Sequence, residues 1–215
     1  MIRTLVCVVA CLAGGLAADR AAAEEIALFN GKNFDGWTYV LSDANVKMED
    51  VWSVVDGMIV CKGKPSGYLR TKEDYSDYTL TLQWRWAPGS KGGNSGVLVH
   101  TSTPGAIGVW PKSIEAQLAA GNAGDIWVIG TTIQIPNADE RVMGRRHLNL
   151  TDNSEKPAGE WNKYEIIAKG DELTLKVNGD LANHATKCSV TKGAICLQSE
   201  GAEVHFRNIK LTRND

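Results

Sequence analysis

The chain has 215 residues, 43% of them hydrophobic, and a formal net charge of -2 at pH 7. That length carries a sizeable core. The slightly acidic balance gives no footing for nucleic acid or an anionic membrane surface.

Residues 1–23 read as a secretory signal peptide. Arg3 is the positive start, Leu5 to Leu16 is the apolar run, and Ala21-Ala22-Ala23 supplies small residues for cleavage. The mature chain is expected to start at Glu24, with residues 24–215 as one exported domain, periplasmic or extracellular. No later segment reaches the roughly 18 apolar residues of a membrane span. N-terminal sequencing of exported protein should return Glu24 within a few residues; functional protein retaining Met1 would exclude the leader. Three cysteines follow the leader: Cys61, Cys188 and Cys196. Their odd number leaves a free thiol or an intermolecular bridge. Cys188 and Cys196 are close enough in sequence to clip a loop to a strand, and a free buried thiol fits each equally well.

The rest is short alternating segments between Gly, Asn, Asp and Pro. Strands are expected over Trp52 to Cys61, Tyr78 to Trp86, Ser95 to Thr101 and Ser113 to Leu118. Tyr164 to Lys169 and Glu172 to Val177 follow, joined by a tight turn at Gly170-Asp171, with a second turn at Asn178-Gly179. Ala194 to Gln198 and Glu203 to Leu211 complete the set. No segment has the pattern of an amphipathic helix, so the fold class is all-β, a sandwich or jelly roll. Pro88 to Asn94 is Gly-rich. Pro136 to Pro157 carries Arg141, Arg145, Arg146 and His147 and reads as a long loop, either solvated or holding an anionic or hydroxyl-rich ligand. Of the seven tryptophans, Trp37, Trp52, Trp84, Trp86 and Trp161 are expected in the core.

The segment Ile114-Glu115-Ala116-Gln117-Leu118 is the most telling. On a strand, Glu115 and Gln117 project to one face and their three apolar neighbours to the other. The pair is either the polar outside of a half-solvated strand or a reactive carboxyl with an amide beside it.

Several ordered motifs point to a family. Leu28-Phe29-Asn30-Gly31 to Gly36-Trp37, Trp52-Ser53-Val54-Val55-Asp56-Gly57, Asn94-Ser95-Gly96-Val97, the Glu115/Gln117 strand, Gly159-Glu160-Trp161-Asn162, Val177-Asn178-Gly179, Leu197-Gln198 and Phe206-Arg207-Asn208-Ile209 follow one another at characteristic spacing. Together they resemble the 3-keto-disaccharide hydrolase domain family, over nearly all of the mature chain. The resemblance implies a concanavalin A-like jelly roll of two antiparallel sheets, and action on glycosides oxidised at C3. The chain departs from the pattern at His100, where relatives often carry Arg, and at Ser199-Glu200, where many carry an acidic residue or His.

The glucanases of that superfamily set Glu, Asp and Glu at alternating positions of one strand; here those positions read Glu115, Gln117, Ala119. Double displacement by two carboxylates is therefore not available on this strand. A C3 ketone changes the requirement, because it acidifies the C2 proton and allows β-elimination of the C1 substituent, followed by hydration. The expected roles are Glu115 as base or proton shuttle, His100 as second acid/base and Glu200 as an alternative acid. Asn94, Gln117 and Gln198 would hold hydroxyls or the keto oxygen, Asp125 a hydroxyl or a cation, and Trp110 and Trp127 would stack on the sugar. Glu115, Asp125 and Glu200 are oxygen ligands of the kind Ca²⁺ or Mg²⁺ takes, without metal-loop spacing. The competing readings are a lectin-like carbohydrate-binding module and an interaction scaffold.

Overall fold

The computed structural model describes residues 24–214, so the leader lies outside the described residues. The strands, in chain order, are β1 (Glu25–Ala27), β2 (Trp37–Leu41), β3 (Trp52–Val55), β4 (Met58–Cys61), β5 (Gly67–Thr71), β6 (Tyr78–Trp86), β7 (Gly96–Thr101) and β8 (Ser113–Gln117). Then come β9 (Ile126–Ile129), β10 (Val142–Met143), β11 (Arg146–His147), β12 (Asn162–Lys169), β13 (Glu172–Val177), β14 (Asp180–Ala185), β15 (Ala194–Ser199) and β16 (Val204–Arg213). Two four-residue helical turns, Met48–Val51 and Ala138–Arg141, are the only helices among the described residues.

The strands form two antiparallel sheets. One runs β14-β13-β12-β6-β16-β4-β3 with β1 on β16; the other runs β10-β11-β9-β8-β7-β15-β5-β2. Their facing sides share one apolar core, in which Trp37, Trp52, Trp84, Trp86, Tyr164 and Phe206 are buried. Trp84 and Tyr164 pack with ring centroids 5.3 Å apart. Trp161 is the exception among the expected core tryptophans. It is half-buried on the outside of the first sheet, with the Arg207 and Arg85 guanidinium carbons 3.9 and 4.6 Å from its ring centroid. A cation over an aromatic face needs no burial to be favourable.

Trp52 to Cys61 is a hairpin, not one strand. Asp56 and Gly57 take φ of 50° and 73°, the left-handed geometry of a tight hairpin turn, and Val55 pairs with Met58. Asn178 and Gly179, at φ 52° and 99°, make the expected turn between β13 and β14. All three cysteines are free and buried. Burial pushes the Cys61 and Cys188 thiols up to about 11 and Cys196 up to about 12, so they stay protonated.

The two sheets differ in a way that locates the site. Strand β6 alternates between buried and half-buried residues, as a strand with one wet face does. In β7, β8 and β15 every residue is buried. The outer face of the second sheet is therefore recessed beneath other parts of the chain, and the polar groups it carries are withdrawn from solvent.

Candidate active site

Glu115 lies mid-strand in β8, between Leu98 of β7 and Trp127 of β9 in register. Ile114, Ala116 and Leu118 fill the core, so Glu115 and Gln117 face outward as their alternation requires. Both are only 5% exposed. Gly96 of β7 pairs with Gln117, diagonal to Glu115, and beyond it stands Gln198 of β15. A Cβ at Gly96 would lie 2.6 Å from both Glu115 Oε1 and Gln198 Oε1. A glycine inside a strand usually marks a close approach; here its missing side chain lets the carboxyl and the amide converge.

Those two oxygens are buried and have no hydrogen-bond partner, and Asn94 Oδ1 is in the same condition. Asn94 forms a bridge with Glu200, and its side chain favours the ionised form of the Glu200 carboxyl against a larger upward push from burial. Burial likewise pushes the Glu115 carboxyl up, to about 8. The Glu200 charge adds to the rise, while Gln198 and Arg145 oppose it. Glu115 thus holds its proton at neutral pH, and the half-buried Glu200 beside it is raised by burial as well.

Trp127 flanks Glu115 on the same face, and the Arg145 guanidinium carbon sits 5.3 Å from its ring centroid. Trp110 is half-buried with Ile107 against Tyr68, Leu98, Ile129 and Cys196, an apolar cluster separate from the main core. Asn94, Glu115, Glu200, Gln198, Trp127 and Trp110 thus fall on the recessed face, as the sequence leads one to expect.

Two expected residues take other positions, and a third is partly committed. His100 does not reach this face. Leu98 pairs with Cys196 and Thr101 with Ala194, so β7 carries one residue more than β15 and bulges, with His100 at φ 53°. The bulge turns the ring into the sandwich, 5.8 Å from the Tyr78 ring. His100 Nδ1 donates to Val190 O at 3.0 Å, which leaves Nε2 without a proton or a partner, and burial lowers the imidazole below its usual range. Thr101 takes the outward place, with Cys196 Sγ 3.4 Å from its hydroxyl.

Asp125 is 1% exposed and fully engaged. It accepts from Arg146 Nε at 2.6 Å and from the Asn149 backbone N–H at 2.7 Å. It fastens the basic loop to the sheet, with both of its oxygens engaged in doing so. No group of three or more His, Cys, Asp or Glu side chains able to hold a metal ion occurs among the described residues. Gln117 spends its side-chain oxygen on the backbone N–H groups of Leu118 and Ala119, at 2.8 and 2.9 Å, so only its amide nitrogen is left to offer.

The basic loop divides in the same manner. Arg141 is buried and donates to the carbonyls of Pro136 and Leu148 and to Asn183 Oδ1, and Arg146 is held by Asp125 and Asn122. Arg146, paired with Trp127, shares the Glu115 face but is committed; Arg145, with its guanidinium over Trp127, has no such partner among the described residues. In sequence it is one of several adjacent cations; only the partners of its neighbours single it out.

Residues 24–212 match the family model described as a 3-keto-alpha-glucoside-1,2-lyase-like domain. No functionally curated protein matches the chain. Among solved structures, a putative glycosyl hydrolase from Parabacteroides distasonis is similar at 23% identity and a TM-score of 0.66, over 89% of this chain and 94% of that one. A Bacillus licheniformis beta-glucanase is similar at 15% identity and a TM-score of 0.59, over 91% of this chain and 100% of that one. The carbohydrate-binding module CBM66 from Bacillus subtilis is similar at 14% identity and a TM-score of 0.56, over 81% and 94%. At these identities the likeness is one of fold. With the family model spanning nearly all the described residues, the chain belongs to the 3-keto-alpha-glucoside-1,2-lyase-like domain family, on a concanavalin A-like jelly roll.

Proposed function

We propose that this protein is an exported enzyme that cleaves 3-keto-glycosides by elimination and hydration, with Glu200 as base and Glu115 as acid. The carrying observation is a pair of carboxyl groups on one face, the buried Glu115 of β8 and the half-buried Glu200 just past β15, with β7 between those strands and both carboxyls pushed up by burial. These roles reverse the sequence-based expectation for Glu115, and Glu200 takes the place expected of His100. Burial of a carboxyl among unpartnered oxygens is costly, which argues against a bare binding face.

In this scheme the Glu200 carboxylate takes the proton from C2, beside the C3 carbonyl. The C2–H electrons pass into the enolate. They then form the C1–C2 double bond as the C1–O bond breaks, and Glu115 gives its proton to the departing oxygen. Water then adds to C1, giving a proton to Glu115, while Glu200 returns one to C2. Both carboxyl groups end as they began, and the net change is hydrolysis.

The test is a 3-keto-glucoside and its unoxidised parent, each incubated in D₂O. The oxidised sugar should release aglycone and carry deuterium at C2, and the parent should be left whole. Rapid cleavage of the parent, or product without deuterium at C2, would rule out the elimination.

A further inference from the structure

The recessed face is electrically one-sided. Gln198 Oε1 and Asn94 Oδ1 are buried acceptors without donors, aimed from β15 and from the segment before β7. On the opposite flank stands Arg145, whose side-chain nitrogens take part in no hydrogen bond or ion pair among the described residues. Its side chain is exposed, but its backbone is anchored. Its carbonyl accepts from the Val128 N–H at 3.0 Å, the next residue is locked by the Arg146–Asp125 pair at 2.6 Å, and its guanidinium rests on Trp127. It is close enough to Glu115 to bias that carboxyl toward ionisation.

A pyranose oxidised at one carbon has two kinds of polar edge: hydroxyls, which can donate, and a carbonyl oxygen, which can only accept. Buried acceptors lacking donors favour the first and repel the second. A guanidinium with its donors uncommitted favours the second, and favours it more as enolate charge builds there.

We propose that Arg145 binds the oxo oxygen of the oxidised sugar, with the ring hydroxyls turned to Gln198 and Asn94, so that Arg145 is the residue that distinguishes a 3-keto sugar from its parent. The inference rests on the reading of the site as one for 3-keto-glycosides. Arg145 touches substrate in this arrangement and is a binding and catalytic residue.

The test uses 3-keto-1,5-anhydroglucitol, which has no leaving group at C1, and plain 1,5-anhydroglucitol. Binding of both is measured by calorimetry to the wild-type protein, Arg145→Gln and Arg145→Lys. The wild type should prefer the keto ligand by roughly 10–100-fold, the range of one charge-assisted hydrogen bond. Arg145→Gln should erase that preference by weakening the keto ligand far more than the parent, and Arg145→Lys should keep part of it. A preference that survives Arg145→Gln, or a wild type that binds both ligands equally or neither, would overturn the assignment. Turnover of a 3-keto-glucoside by the wild type is scored separately. Turnover with a preference that ignores Arg145 removes only Arg145; an Arg145-dependent preference without turnover removes only the enzyme.

Discussion

Glu115→Gln is expected to make the protein more stable at pH 8 and close to inactive on sugar-linked substrates. The Glu115 carboxyl titrates at about 8 in the folded chain against an ordinary 4.5. Between these values the folded state keeps a proton that the unfolded chain releases. Stability therefore falls as pH rises through this window, by up to about 1.4 kcal/mol per pH unit, and levels off above about 8. The total is on the order of a few kcal/mol, and the substitution removes it. The introduced amide can also donate to Gln198 Oε1, which has no partner in the wild type. At roughly 2–4 °C per kcal/mol for a chain of this size, calorimetry at pH 8 should show the variant melting well above the wild type, with the two converging near pH 4.5. Turnover should drop by roughly 10²–10⁴ where the leaving group is a sugar, and far less where it is a nitrophenoxide that departs without a proton. A variant less stable than the wild type at pH 8, or a loss independent of leaving group, would contradict the role of acid.

The second large effect is at Glu200. Glu200→Gln should lower turnover by roughly 10²–10⁴ with both kinds of leaving group, and deuterium should no longer enter C2, because the base itself is gone. It should also move the Glu115 titration to lower pH, since the Glu200 charge is one of the two causes raising it. This is readable as a downward shift in the pH at which stability levels off. In the wild type, kcat/KM for a sugar leaving group should rise through the Glu200 ionisation, above the usual carboxylate value, and fall through about 8 as Glu115 loses its proton. The fall should be weak with nitrophenoxide. Retention of C2 exchange in Glu200→Gln would return the base role to Glu115.

The sandwich was legible because alternation and turn chemistry agree. The stretch Tyr78–Trp86 alternates at every residue and is a strand from end to end, and the Asn178-Gly179 turn sits where its positive φ is needed. The Asp56-Gly57 turn carries the same sign, yet the apolar residues on both sides of it mask the break. Strands such as β9 and β5 are short and buried, with too few residues for a period to declare itself. At the site, alternation placed Glu115, Gln117, Asn94 and Gln198 on one face because nothing interrupts the strands there. It misplaced His100 because a bulge is a matter of register between two strands, and a single strand's sequence does not contain it. Asp125 and Arg145 show a different limit. Residue type gave each the right chemistry, and only the identity of their neighbours tells that the first is committed and the second free.

The bulge at His100 also has a bearing on how this rim of the cleft can change over generations. A Cβ at Gly193 would lie 2.4 Å from the His100 carbonyl carbon and 2.5 Å from Thr101 O, so the facing chain runs hard against the extra residue. Substitution alters what stands at a position but leaves which positions look outward untouched. Loss of Thr101 would relieve the bulge and seat His100 opposite Ala194, facing outward. Strand length is thus a hereditary dial at this end of β7: a single codon lost decides whether an imidazole or a hydroxyl is presented to whatever enters, with the pairing of the rest of the sheet unaltered.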